Sequence, residues 1–197
     1  MELLIIVFLL GGLFLGWSLG ANDAANVFGT AVGTRMVRFK TAAIVCSLFI
    51  ILGAVISGAG TTETLGKLGA INALPGAFAA CVAAGLSVYI MTKFGLPVST
   101  TQAIVGAIVG WNLYTGSSTN LKVLLIILST WILCPIITAL IAMLFFILTK
   151  KLLKITTWHI LRLDAYTRAA LLIAGAFGAY SLGANNIANV MGVFVPI

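Results

Sequence analysis

Two short segments place carboxamides and a carboxylate inside otherwise apolar sequence. Residues 20–26 read Gly-Ala-Asn-Asp-Ala-Ala-Asn, with Asn22, Asp23 and Asn26 as the polar positions. Residues 183–189 read Gly-Ala-Asn-Asn-Ile-Ala-Asn, with Asn185, Asn186 and Asn189 in the same places. A charge at the centre of a bilayer costs about 2.5–3.5 kcal/mol, so residues such as Asp23 mark functional sites. The i, i+4 spacing sets Asn22 and Asn26 on one helical face, and Asn185 and Asn189 repeat that face. Interhelical hydrogen bonds, at about 0.6 kcal/mol each, account for single amides but not for a duplicated motif. Gly20 and Gly183 abut the two motifs. Glycine there permits an unwound backbone whose carbonyls bind a cation.

A third cluster, Gly95-Leu-Pro-Val-Ser-Thr-Thr-Gln102, follows a proline with three hydroxyls and an amide. Ser99 or Thr100 can cap a helix running to Gly110. A helix N-terminus offers free N–H groups and a partial positive charge, which suits an anion. Together the clusters fit an oxyanion. Asp23 repels one unless a cation lies between them or its carboxylate accepts the oxyanion's proton. Near neutral pH phosphate keeps a P–OH and sulfate does not. Phosphate is therefore the favoured substrate, with cation coupling, and a sulfate or other oxyanion permease is the alternative.

These residues need a membrane scaffold. The 197 residues are 61% hydrophobic and 8% charged, with mean hydropathy +1.20. A soluble domain carries about a quarter charged residues. The composition excludes a cytosolic enzyme, a secreted disulfide module and a disordered chain. It fits an all-α, polytopic membrane protein. The net charge of +7 is read as a topology signal, not as a nucleic-acid footprint. Cys46, Cys81 and Cys134 lie apart in apolar runs and read as packing residues. His159 has no ligand spacing.

The apolar stretches are 3–34, 41–60, 74–92, 98–115, 122–149 and 168–197. Arg35, Arg38 and Lys40 fill the first loop, and Lys150, Lys151, Lys154, Arg162 and Arg168 crowd the fifth. The positive-inside rule puts both loops in the cytoplasm and the N-terminus outside. Residues 3–34 would span about 48 Å as one helix, beyond a ~30 Å hydrocarbon core, so the stretch must tilt, break or fold back. The short stretch 98–115 is a broken span or part of a re-entrant hairpin. Glu63 reads as a solvated loop charge. Trp17, Trp111, Trp131, Trp158, Tyr89 and Tyr114 read as interfacial anchors or packing, and 150–168 as an amphipathic segment on lipid.

Residues 12–29, GLFLGWSLGANDAANVFG, align without gaps to 175–192, GAFGAYSLGANNIANVMG, with 11 of 18 positions identical. Five crossings between the copies give them opposite orientations. That is the inverted-topology repeat of many secondary transporters, with substrate near the midplane. The chain divides into a first repeat (1–150), a basic cytoplasmic connection (151–167) and the first segment of a second repeat (168–197). Only five residues follow the second copy, so a roughly twice-longer protein, or a missing half, is expected.

GANDAAN, GANNIAN and GLPVSTTQ resemble the paired signatures and the Pro-x-Ser-Thr-Thr segment of the PiT family of inorganic phosphate transporters. The resemblance implies Na⁺- or H⁺-coupled phosphate symport by discontinuous helices in two inverted repeats, in a homodimer. By match, phosphate is held by Asn22, Asp23, Asn26, Ser99, Thr100, Thr101, Asn186 and Asn189. Na⁺ is held by Asn22, Asp23, Asn26, Gly20, Gly183, Asn185, Asn189 and Ser99. Position 186 is Asn where the first copy has Asp23, so the two halves are unequal. Position 102 is Gln where the family often has His, which favours Na⁺ over H⁺. An anion channel and a non-transporting subunit are the readings from other classes. No Ser/His/Asp, Cys/His or nucleotide-loop constellation is present, so an enzyme is not expected.

Overall fold

The structure is a computed structural model, and it describes residues 2–59, 62, 67–68, 74–155 and 159–194. Glu63 and Trp158 lie outside the described residues. Among the described residues six helices follow in order: α1 (Glu2–Gly33), α2 (Phe39–Ser57), α3 (Leu74–Lys93), α4 (Thr100–Thr115), α5 (Leu121–Ile155) and α6 (Ile160–Met191). Five of them are long and apolar enough to cross a bilayer; the 16-residue α4 is not among these. Their large aliphatic and aromatic side chains are widely exposed, as lipid-facing surfaces require. The protein is a multi-pass membrane protein.

The stretch 3–34 neither breaks nor folds back. It is one helix of 32 residues, about 48 Å long. The helix α6 is likewise continuous over 32 residues. Gly20 and Gly183 therefore lie inside regular helix, and the unwound backbone expected there is not formed.

The short stretch turns back. The chain leaves α3 through Gly95 at φ +68, with the Leu96 N–H donating to the Met91 carbonyl (3.0 Å) and the Gly95 N–H to Thr92 (3.0 Å). That left-handed cap is glycine's preferred place, and Pro97 just beyond it cannot extend the helix. Ser99 then caps α4, its Oγ accepting from the Gln102 N–H at 3.3 Å. After α4, the Asn120 N–H donates to the Leu68 carbonyl at 2.9 Å. The end of α4 thus returns to the start of α3, and the two form a helical hairpin with its tip at 94–99.

The hairpin packs along α1. A Cβ on Gly11 would meet Phe78, and one on Gly85 would meet Phe14 and Leu15. Trp17 lies 5.6 Å from Tyr89, ring centre to ring centre. These pairings run in step, so α1 and α3 are parallel. Leu15, Leu19, Cys81, Ala84, Ile104, Val105 and Ile108 form the core between α1 and the hairpin.

Against α6, α1 runs antiparallel: Gly12 lies by Val190 and Phe194, and Gly175 by Phe28. The two copies of the repeat thus lie side by side, head to tail. The helices α2 and α6 run parallel, Ala42 and Cys46 clustering with Leu171 and Ala179 and Gly58 lying against Ile187, and they are very close. A Cβ on Gly53 would overlap the Tyr180 carbonyl, and one on Gly183 the Ile50 carbonyl. Ser57 and Tyr180 share a hydroxyl hydrogen bond across this contact. The helix α5 touches the core near Ile127 and is exposed throughout 132–155. His159 caps α6, its Nδ1 accepting from the Leu161 N–H at 3.3 Å.

Candidate functional site

The hairpin tip meets both repeat copies at once. On α1, Asn22 donates through Nδ2 to the Val98 carbonyl (2.9 Å) and accepts from the Thr92 hydroxyl (3.4 Å). On α6, Asn189 donates through Nδ2 to the Thr101 and Thr100 hydroxyls (3.2 and 3.5 Å) and to Asn186 Oδ1 (3.0 Å). Asn22 and Asn189 are buried, with 8% and 1% exposure. They hold the tip in place and stand behind the site. Thr92 and the Val98 carbonyl were not legible as site groups: a hydroxyl and a peptide carbonyl carry no signal until the tip is folded.

Asp23 sits at the centre. Its Oδ1 accepts from Asn22 Nδ2 (2.8 Å), and its Oδ2 from Asn186 Nδ2 (2.7 Å) and the Thr100 hydroxyl (3.3 Å). All three partners are neutral donors, so the carboxylate has no protein counter-ion among the described residues. Asn186 is the residue that the repeat aligns with Asp23. The two equivalent positions therefore touch each other directly, one acidic and one neutral.

In front of this cluster lies a cavity of about 530 Å³, lined at one end by Asp23, Asn26, Asn185, Asn186, Ser99, Thr100 and Thr101. That is many times the ~30 Å³ share of a water molecule. Ser99, Thr100 and Thr101 bring the N-terminus of α4, with its hydroxyls and free N–H groups, to the wall of this space, an arrangement suited to an oxyanion. The cavity continues between α1 and α6 past Val27, Thr30, Ala31, Ala174 and Leu171. Asn26 and Asn185 are exposed to it; the i, i+4 face expected from sequence is split, one amide buried and one open in each copy.

Gly20 and Gly183 do not line this cavity. They lie on a second, apolar one of about 380 Å³, with Asn186. No group of three or more His, Cys, Asp or Glu residues forms a metal cluster among the described residues. The available cation ligands are Asp23 and amide or hydroxyl oxygens, a hard-donor set that suits Na⁺. Asn189 Oδ1 is buried without a hydrogen-bond partner beside them. Because Ser99 is both cap and cavity wall, Ser99→Ala should cost about 1 kcal/mol. Thermal melting of the detergent-solubilised full-length protein should show it, with Ser99→Thr restoring most of the loss.

The model of the phosphate transporter family matches residues 19–197. The chain belongs to that family. It is 37% identical over 161 residues to a protein of Thermococcus kodakarensis named as a phosphate permease, covering 76% of this chain and 40% of that one. Over 155 residues it is 32% identical to the chloroplastic inorganic phosphate transporter 2-1 of Arabidopsis thaliana, covering 73% of this chain and 26% of that one. A solved structure titled as the sodium-dependent phosphate transporter superposes with TM-score 0.74 at 24% identity, covering 97% of this chain and 67% of that chain. This last likeness shows the shared helical fold. The chain spans about two-fifths of the length of the microbial relatives it matches. Phosphate transporter family members are transporters, not enzymes.

Proposed function

We propose that this chain forms the first part of a Na⁺-coupled symporter of inorganic phosphate working by alternating access. The observation that carries it is the meeting of one carboxylate, Asp23, with the N-terminus and hydroxyls of α4 on a single cavity between the two repeat copies. The hydroxyls and amide N–H groups suit the phosphate oxygens. A cation between Asp23 and the phosphate would remove their repulsion. Three hydrogen bonds to the carboxylate, and Gln at 102, favour Na⁺ over a carried proton.

The head-to-tail packing of α1 and α6 supports the inverted repeat. A two-fold relating the copies exchanges Asn22 with Asn185 and Asn189 with Asn26. The present hairpin covers Asn22 and Asn189. The same operation would set a second hydroxyl-bearing tip on Asn185 and Asn26, supplied by the remaining half of the transporter.

The test is radiolabelled phosphate uptake into proteoliposomes of the full-length protein, with Na⁺ and H⁺ gradients imposed separately. Uptake driven by Na⁺ and not competed by sulfate is expected. Equal competition by sulfate would favour a general oxyanion permease, and uptake indifferent to both gradients an anion channel. Arg38→Cys and Lys151→Cys should label only from the cytoplasmic side if the N-terminus is outside. The homodimer implied by the resemblance predicts twice the chain mass for the detergent-solubilised full-length protein.

A further inference from the structure

Three helices end in residues with left-handed backbone among the described residues: α1, α3 and α4. Two of these residues are Gly95 and Gly116, at φ +68 and +71. The third, after α1, is Arg35 at φ 60. A residue with a Cβ pays about 1–2 kcal/mol for that conformation, and glycine would avoid it. The cap itself has no use for a guanidinium.

The turn carrying Arg35 is bonded to the rim of the cavity. Thr34 donates its N–H (3.0 Å) and its hydroxyl (2.8 Å) to the Thr30 carbonyl, and the Val37 N–H donates to the Ala31 carbonyl (3.0 Å). Thr30 and Ala31 are the cavity's outermost lining on α1. Val37 is buried at 5% exposure and anchors the turn, while Arg35, Arg38 and Lys40 are exposed. Opposite them, one turn before the lining residue Leu171, Arg168 is bonded to Asp164 at 2.8 Å. Positive charge at this mouth is therefore compensated on α6. On α1 it has no acidic partner among the described residues.

We infer that the turn 34–38 is a binding site for a tetrahedral oxyanion at the cytoplasmic mouth of the cavity, where phosphate leaves during uptake and enters during exchange. Arg35 is the residue that meets an ion from the cytoplasmic side first, ahead of the Ser99–Thr101 hydroxyls deeper in the cavity. A guanidinium presents paired donors that match two phosphate oxygens, which a lysine point charge does not. The uncompensated charges of Arg38 and Lys40 raise the local anion concentration around it. This site rests on the phosphate reading above.

Phosphate–phosphate exchange by the full-length protein in proteoliposomes tests it, at fixed Na⁺ with ionic strength varied by choline chloride. Arg35→Gly should raise the KM for phosphate about 3- to 10-fold at low ionic strength with kcat unchanged, and the difference should shrink as salt screens the mouth. The same variant should melt no lower than the unaltered protein, because glycine relieves the left-handed strain. Arg35→Lys, which keeps the charge without the paired donors, should recover only part of the low KM. An unchanged KM for Arg35→Gly, or a raised KM indifferent to salt, would overturn this binding site while leaving phosphate transport standing. No phosphate exchange by the unaltered protein would overturn both.

Discussion

Asp23→Asn in the full-length protein is expected to abolish Na⁺-driven phosphate uptake. Removing the charged member of a buried hydrogen-bonded set costs about 2–5 kcal/mol, which weakens binding by at least roughly 30-fold. The substitution cannot be silent, because both carboxylate oxygens accept. Asn22 donates to one, and Asn186 and Thr100 donate to the other. Whichever way the introduced carboxamide is turned, its NH₂ faces a donor. One buried pair is then broken, at about 1–3 kcal/mol.

The contact between Asp23 and Asn186 supplies a sharper control. Adding Asn186→Asp to Asp23→Asn moves the carboxylate to the equivalent position of the other copy, 2.7 Å away across the same contact. That double variant should recover part of the uptake. Asn186→Asp alone opposes two carboxylates and should impair it. Na⁺-dependent uptake unaffected by Asp23→Asn would remove the carboxylate from the mechanism.

Gly20 and Gly183 are aligned in the repeat, yet alanine should act on them with opposite sign. At Gly183 a Cβ would overlap the Ile50 carbonyl, and at the facing Gly53 it would overlap the Tyr180 carbonyl. Neither obstacle is a side chain that can rotate away. Gly183→Ala must push α2 from α6, loosen the Ser57–Tyr180 bond and cost about 1–3 kcal/mol. Gly20 has nothing within 4 Å of a Cβ. Gly20→Ala removes a helix-interior glycine and should stabilise by up to about 1 kcal/mol. Melting of both detergent-solubilised full-length variants measures the signs. Equal destabilisation by the two would show that Gly20 has a backbone role that a regular helix does not explain.

Much of the site could be read along the chain because the chemistry of a membrane interior is exclusive. Asp23 among apolar residues has few structural reasons to exist. A matched pair of Asn motifs is more than interhelical hydrogen bonding of single amides accounts for. Gly95, Pro97 and Ser99 stop one helix and start another by local rules alone: a left-handed cap, a missing N–H and a side-chain acceptor. For that reason the chain alone locates the hydroxyl cluster at a helix N-terminus, where Ser99 caps α4.

The folded chain decided what depends on distance between helices. That 98–115 runs back along α3 rests on the Asn120–Leu68 bond, which joins residues no local rule connects. Of the tilt, break or fold-back open to 3–34, neither the break nor the fold-back occurs, since excess length can be taken up by tilt or protrusion as readily as by a break. The glycines beside the two motifs share a sequence context but not neighbours: one meets a carbonyl of α2, the other open space. Which amides hold the hairpin and which face the cavity was equally hidden, because antiparallel packing sets the first Asn of one copy level with the second of the other. Sequence by itself determined membrane-spanning helices and a duplicated polar motif within them. Only the tertiary structure decided that Asp23 and Asn186 meet, because periodicity reports the face a residue occupies and not what lies across from it.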